Sequence, residues 1–127
     1  MGKKVSIFNE TNGTPPRVPF ARLKEKILGE KYLLSVIFVG DHKSRLLNRR
    51  FRRSDKPTNI LSFSISKNEG ELYVNLAQVK RELKLFDRSF PNLVSFLLIH
   101  GMFHLKGYAH GSTMESKEKA TRTAFKI

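Results

Sequence analysis

Three of the chain's four histidines sit close together: His100, His104 and His110, in the segment His100-Gly101-Met102-Phe103-His104-Leu105-Lys106-Gly107-Tyr108-Ala109-His110. On a helix, residues four apart share a face with Cβ atoms roughly 6 Å apart, so His100 and His104 can present nitrogens to one point. A divalent ion accepts imidazole nitrogen at about 2.0–2.1 Å. Gly107 lets the chain turn back, and His110 can then supply a third nitrogen. Three histidines with an open fourth position describe a catalytic zinc rather than a structural one, although imidazole also takes nickel or copper. The blander alternative makes His100 and His104 hydrogen-bonded core residues and His110 a surface residue. Two imidazoles on an apolar stripe would then need buried partners. The neighbouring helix positions offer almost none, and the nearest acid in sequence is Glu115. The chain has no cysteine, so a transition metal here must be held by histidine.

The spacing H-x-x-x-H-x-x-G-x-x-H also occurs in zincin-type metalloproteases, where a Glu after the first His is the general base. Gly101 stands at that position and cannot take a proton. A zincin-like protease is therefore disfavoured.

The elements that must position the histidines follow from periodicity. Asn92 to Lys106 reads as a helix that is apolar nearly all round, so it belongs in the middle of a domain. Pro91 suits its first turn and Gly107 its end. Strands are expected over Lys4 to Phe8, Tyr32 to Val39, Asn59 to Ile65 and Glu71 to Val74. Helices are expected over Pro19 to Glu30, over His42 to Arg53 behind an Asp41 cap, and from an Asn75 cap to about Phe86. Leu76, Val79 and Leu83 would face inward on the last of these. Thr113 to Lys126 is a polar tail of weak helical character. The order β-α-β-α-β-β-α-α-α is an α+β or mixed layer, and 127 residues without repeat or linker make one domain, 1–127.

Charge supplies a second theme. Lys plus Arg number 24 against 11 acids, a net +13 that points to a polyanion, with nucleic acid the first candidate. Residues 42–56 hold seven positive groups and one negative, whereas residues 89–105 hold no Asp, Glu, Lys or Arg. On the 42–53 helix, Leu46, Leu47 and Phe51 form the expected apolar face. Arg45, Arg49, Arg52 and Lys56 line one stripe. No secretory signal and no membrane-length apolar run is present, so a cytoplasmic protein is expected.

The segment from His100 to His110 resembles the HGxLHLxGYDH signature of the bacterial YbeY-type endoribonucleases, a metal-dependent family of ribosomal RNA maturation. Asn48-Arg49-Arg50-Phe51-Arg52, followed by Asp55-Lys56-Pro57-Thr58-Asn59-Ile60-Leu61-Ser62-Phe63, is similar to a second block of that family. Gly70-Glu71-Leu72-Tyr73-Val74 is similar to a third. The resemblance implies a single domain with a mixed four-stranded sheet packed with helices around the central buried helix. It implies one metal, normally zinc, on His100, His104 and His110. It implies a functional role for Arg52 towards substrate, unless Arg52 is spent on an ion pair with Asp55 or Glu71. Arg45, Arg49, Arg53 and Lys56 would track RNA phosphates. The substrate class implied is single-stranded RNA, namely precursor 16S ribosomal RNA and ribosomal particles, with no membrane partner. The chain departs from the signature at Ala109, where the family has Asp, and its tail closes earlier than in many members. A non-catalytic RNA-binding assembly factor with a structural metal is the alternative, kept open by the missing acids at 101 and 109. Tyr108 reads equally as a base-stacking or a core residue.

Overall fold

A computed structural model describes residues 5–127 of the chain. Lys4, expected to open the first strand, lies outside the described residues. The elements are β1 (Val5–Asn9), α1 (Phe20–Ile27), β2 (Leu33–Val39), α2 (Asp41–Arg52), β3 (Ile60–Ser66), β4 (Glu69–Asn75), α3 (Leu76–Glu82), α4 (Phe90–Leu105) and α5 (Ser112–Phe125). A short 3₁₀ turn, Leu83–Leu85, follows α3. The strands form one mixed sheet in the order β1-β2-β4-β3. β1 and β4 run parallel to β2, and the β3–β4 hairpin is antiparallel. The expected element order and the α+β class both hold.

α4 lies in the middle of the core. Leu93, Val94, Leu98, Ile99 and Met102 are fully buried, against Leu34, Val36, Phe38, Leu72 and Val74 from the sheet and Leu23 and Ile27 from α1. Each such side chain contributes about 1.5–3 kcal/mol relative to exposure. The N-terminus of α4 is capped by Ser89, whose hydroxyl accepts from the Asn92 N–H, with Pro91 in the first turn. Its C-terminus is closed by Gly107 at φ +109, a conformation that only glycine adopts cheaply.

At Gly101 helix α4 packs tightly on the sheet. A Cβ there would lie 2.8 Å from Leu72 Cδ2 and 3.0 Å from Ile60 Cδ1. The glycine is therefore a packing requirement, and its missing side chain would point at the sheet.

Several expectations needed correction. On α2 the inward residues are Ser44 and Asn48, whereas Leu46 and Phe51 are exposed at 39 % and 57 % and Leu47 is only half-buried. The polar pair is drawn in because the segment after the helix has carbonyls and N–H groups to satisfy. Ser44 Oγ donates to the Thr58 carbonyl and accepts the Thr58 N–H, and Asn48 Nδ2 donates to the Lys56 carbonyl. Gly40, not Asp41, is the N-cap residue of α2. The helix expected to reach Phe86 ends at Glu82, and Leu83, in the 3₁₀ turn that follows, is half-buried and packs inward against the core as expected. The C-terminal tail is a full helix of 14 residues, because Met114, Glu118 and Thr121 supply a buried stripe at helical spacing.

Candidate metal centre and its cleft

His100 and His104 project from the last turns of α4, and His110 returns to them from the turn that Gly107 permits. Nitrogen atoms of all three lie within 4.8 Å of one another. His100 and His104 are half-buried, and His110 is exposed.

Each of the two helical imidazoles is held by its Nδ1. His100 Nδ1 donates to Glu118 Oε2 at 2.9 Å. His104 Nδ1 donates to the Tyr108 carbonyl at 3.2 Å. With Nδ1 carrying the proton in both rings, the two Nε2 atoms are acceptors facing one another at 3.1 Å. Two lone pairs at that distance repel unless a cation sits between them, and a third nitrogen is at hand. Burial, with His100 alongside, holds His104 below the usual histidine range, which keeps it in the neutral form that binds metal. The donor set therefore fits a borderline-soft divalent ion that prefers imidazole, and the three histidines could hold it.

Glu118 was invisible in the sequence, where Glu115 is the acid nearest to the histidines. It is 6 % exposed, and Arg122 Nη1 lies 3.6 Å from its other oxygen. The signal that would have found it is the stripe Met114, Glu118, Thr121, an acid on the inward face of an amphipathic helix. Glu118 and the Tyr108 carbonyl are the buried partners that the helix's own positions could not offer.

The histidines open into a cleft of about 680 Å³, which they share with Arg52, Asn59 and Phe96. Arg52, at the end of α2, thus meets the triad across the cleft. It does not pair with Asp55 or Glu71: Asp55 takes Arg45 at 2.8 Å and Arg49 at 3.8 Å, and Glu71 accepts from the Tyr73 hydroxyl. Among the described residues no carboxylate pairs with Arg52. Arg45 and Arg49 stand on the exposed flank of α2, Arg53 is the left-handed residue that ends it, and Lys56 is exposed on the following loop. None of these four lines the cleft. Tyr108 packs edge-on to Phe103 at 5.7 Å against the core, so it is structural.

Asn59 is fixed from behind. Its Nδ2 donates to Glu82, which also accepts from Gln78, and Gln78 in turn accepts from Arg81, the partner of Asp41 at 2.6 Å. The wall of the cleft is thereby tied to α3 and to the start of α2.

Fold and site together define a class: α+β domains that hang a three-histidine cluster, able to hold a metal ion, from the end of one buried helix and leave it open to a cleft shared with an arginine. The model of the Endoribonuclease YbeY family matches residues 17–125, and the chain belongs to that family. Relatives named Endoribonuclease YbeY include one from Chelativorans sp., 37 % identical over 67 % of this chain and 58 % of its own length. Another, from Halalkalibacterium halodurans, is 32 % identical over 77 % of this chain and 72 % of its own. One from Pelotomaculum thermopropionicum is 30 % identical over 90 % and 82 %. The chain thus spans less than two thirds of the Chelativorans relative and more of the other two. A solution structure of a protein from Thermotoga maritima is similar in fold, with a TM-score of 0.61 at 25 % identity over 96 % of this chain and 91 % of that one.

Proposed function

We propose that the chain is a metal-dependent endoribonuclease that cleaves single-stranded RNA in ribosomal RNA maturation, with zinc on His100, His104 and His110. The observation that carries this reading is the meeting of the three-nitrogen cluster and an unpaired Arg52 in one cleft. The relatives' shared name supports the reaction class. When bound, such an ion supplies Lewis-acid polarisation of a phosphoryl oxygen and activates water at neutral pH.

The chain's own residues do the rest. Arg52 offers a planar fork of N–H donors to the non-bridging phosphate oxygens, where negative charge grows in the transition state. Glu118 and the Tyr108 carbonyl hold the imidazoles so that their free nitrogens stay convergent. Arg53 and Lys56, and the Arg45–Arg49 pair around Asp55, give the cleft's flank the charge to attract a polyanion without reading bases. A cytoplasmic location and ribosomal particles as targets accompany this reading. Among the described residues no helix is long and apolar enough to cross a membrane.

A zincin-like protease fails on Gly101, since the position of the missing base faces Leu72 and Ile60 and has no room for a side chain. An assembly factor with a purely structural metal is opposed by the site's placement. The triad sits at the rim, while the core around α4 is closed without it.

The test is elemental analysis of the purified protein beside an RNA cleavage assay with and without chelator. Chelation should stop cleavage, zinc should restore it, and the melting temperature should fall by only a few degrees. His104→Ala should lose metal and cleavage together. Undiminished cleavage by a metal-free His104→Ala protein overturns the proposal. Global unfolding on chelation would favour the structural metal.

A further inference from the structure

A second basic cluster stands behind one wall residue of the cleft, built from elements distant from α2; its two arginines pack on that residue and do not themselves line the cleft. Phe96 lies one turn before His100 on α4, on the same face, and lines the cleft. Two guanidiniums lie over its ring: Arg88 with its Cζ 4.4 Å from the ring centroid, and Arg122 with its Cζ 4.9 Å away. Arg88 comes from the segment before α4 and Arg122 from α5.

Two like charges sharing one ring are costly without an anion between them. Arg122 is partly compensated by Glu118, which is already committed to His100. Arg88 donates to the side-chain oxygen of Asn92, a neutral group. Among the described residues no carboxylate pairs with Arg88. Burial and the neighbouring Arg122 hold the Arg88 guanidinium below the usual arginine range. The ring's negative face offsets part of this cost.

We infer that Arg88 and Arg122, seated on Phe96, form a backbone-phosphate subsite that holds the RNA strand about one helical turn along α4 from the metal centre. A turn of α-helix rises about 5.4 Å, so this phosphate is a neighbour of the one being cleaved. Neither arginine can read a base from a phosphate contact, so the subsite fixes register without sequence preference. It also explains why the pair is gathered from α5 and the α4 lead-in. The 42–56 charge flanks one side of the cleft, and these two add charge at Phe96, one turn before His100. The inference rests on RNA being the substrate proposed above.

Arg88 is the residue to test, because Arg122 also braces Glu118. Binding of a single-stranded oligoribonucleotide is measured by fluorescence anisotropy across a salt series, with cleavage followed in parallel. The proteins are wild type, Arg88→Gln, Arg88→Lys, and Lys26→Gln as an equal charge loss on exposed α1. Arg88→Gln should bind about tenfold more weakly, with a salt slope shallower by about one, and should raise KM more than it lowers kcat. Metal content should stay at the wild-type level. Arg88→Lys should recover the slope, and Lys26→Gln should keep wild-type affinity. Inorganic phosphate replacing chloride at constant ionic strength should displace the RNA only far above the RNA's own Kd, because it lacks the strand's other contacts. Displacement at concentrations comparable with that Kd would assign the site to free phosphate and overturn the backbone reading. Binding by Arg88→Gln equal to wild type, or weakened equally by Lys26→Gln, overturns the subsite while leaving the nuclease standing. Weakened RNA binding by Arg88→Gln in a protein whose wild type never cleaves keeps the subsite and removes the nuclease.

Discussion

Glu118 accepts a hydrogen bond from His100 across 18 positions of sequence, at 2.9 Å, from a buried place on the neighbouring helix α5. The carboxylate fixes which nitrogen of His100 carries the proton and so which one is free. Partners of this kind typically change metal affinity by about 10–100-fold when removed.

Glu118→Gln keeps the size and a hydrogen-bonding group but removes the charge. It should bind zinc about 10–100-fold more weakly in competition with a chromophoric chelator, while its circular dichroism stays that of wild type. Unchanged zinc affinity would reduce Glu118 to a packing residue.

Gly101→Ala tests the close approach of α4 to the sheet. Its methyl group would have to displace Leu72, Ile60 or both, at a cost of about 1–3 kcal/mol. The melting temperature should drop accordingly. Gly101→Glu should be recovered only in insoluble form and should show no proteolysis. A soluble, stable Gly101→Glu protein would contradict the packing described.

Asn48 ties the loop after α2 to the helix that carries Arg52. Its Nδ2 bonds the Lys56 carbonyl at 2.9 Å, at a site 2 % exposed. Asn48→Ala leaves that carbonyl without its partner and should cost about 1–3 kcal/mol. KM for RNA should also rise, because the loop forms a wall of the cleft at Thr58 and Asn59. A loss of stability with kinetics unchanged would separate the loop from the site.

Asp41 gives a pH dependence of known sign. Hydrogen bonds from Arg81, and then from Asn75, hold its carboxyl below the usual carboxylate range. A depressed carboxylate lends stability that is fully present above its unfolded pKa, about 3.9, and is lost as the pH falls through the lower folded value. Asp41→Asn should therefore melt below wild type at neutral pH, and the two should converge as the pH falls below about 3.9. The gap should be small, since Asp41 and Arg81 are 45 % and 51 % exposed. Thermal melts at several pH values check it, and a gap constant with pH would refute the assignment.

Most of the scaffold was legible in the residues. Four strands and the helix order followed from alternation, caps and glycine or proline punctuation, because those signals are local. α2 was the exception. Its leucines and Phe51 suggested an apolar inner face, yet Ser44 and Asn48 are buried, since the unpaired backbone at Lys56 and Thr58 needed partners from that helix. Periodicity weighs hydrophobicity only and cannot register a demand for hydrogen bonds made by a loop further along the chain.

The candidate metal centre divides in the same way. His100 and His104 are four apart on a helix, and Gly107 with His110 closes the set within one turn, so the three candidate ligands were written in the sequence itself. The carboxylate behind His100, the guanidinium facing the triad and the pair of arginines on Phe96 come from α5, α2 and the approach to α4. Their meeting depends on how helices pack against one sheet, a property of many weak contacts summed over the chain. No spacing rule carries that information, and only the folded arrangement supplies it.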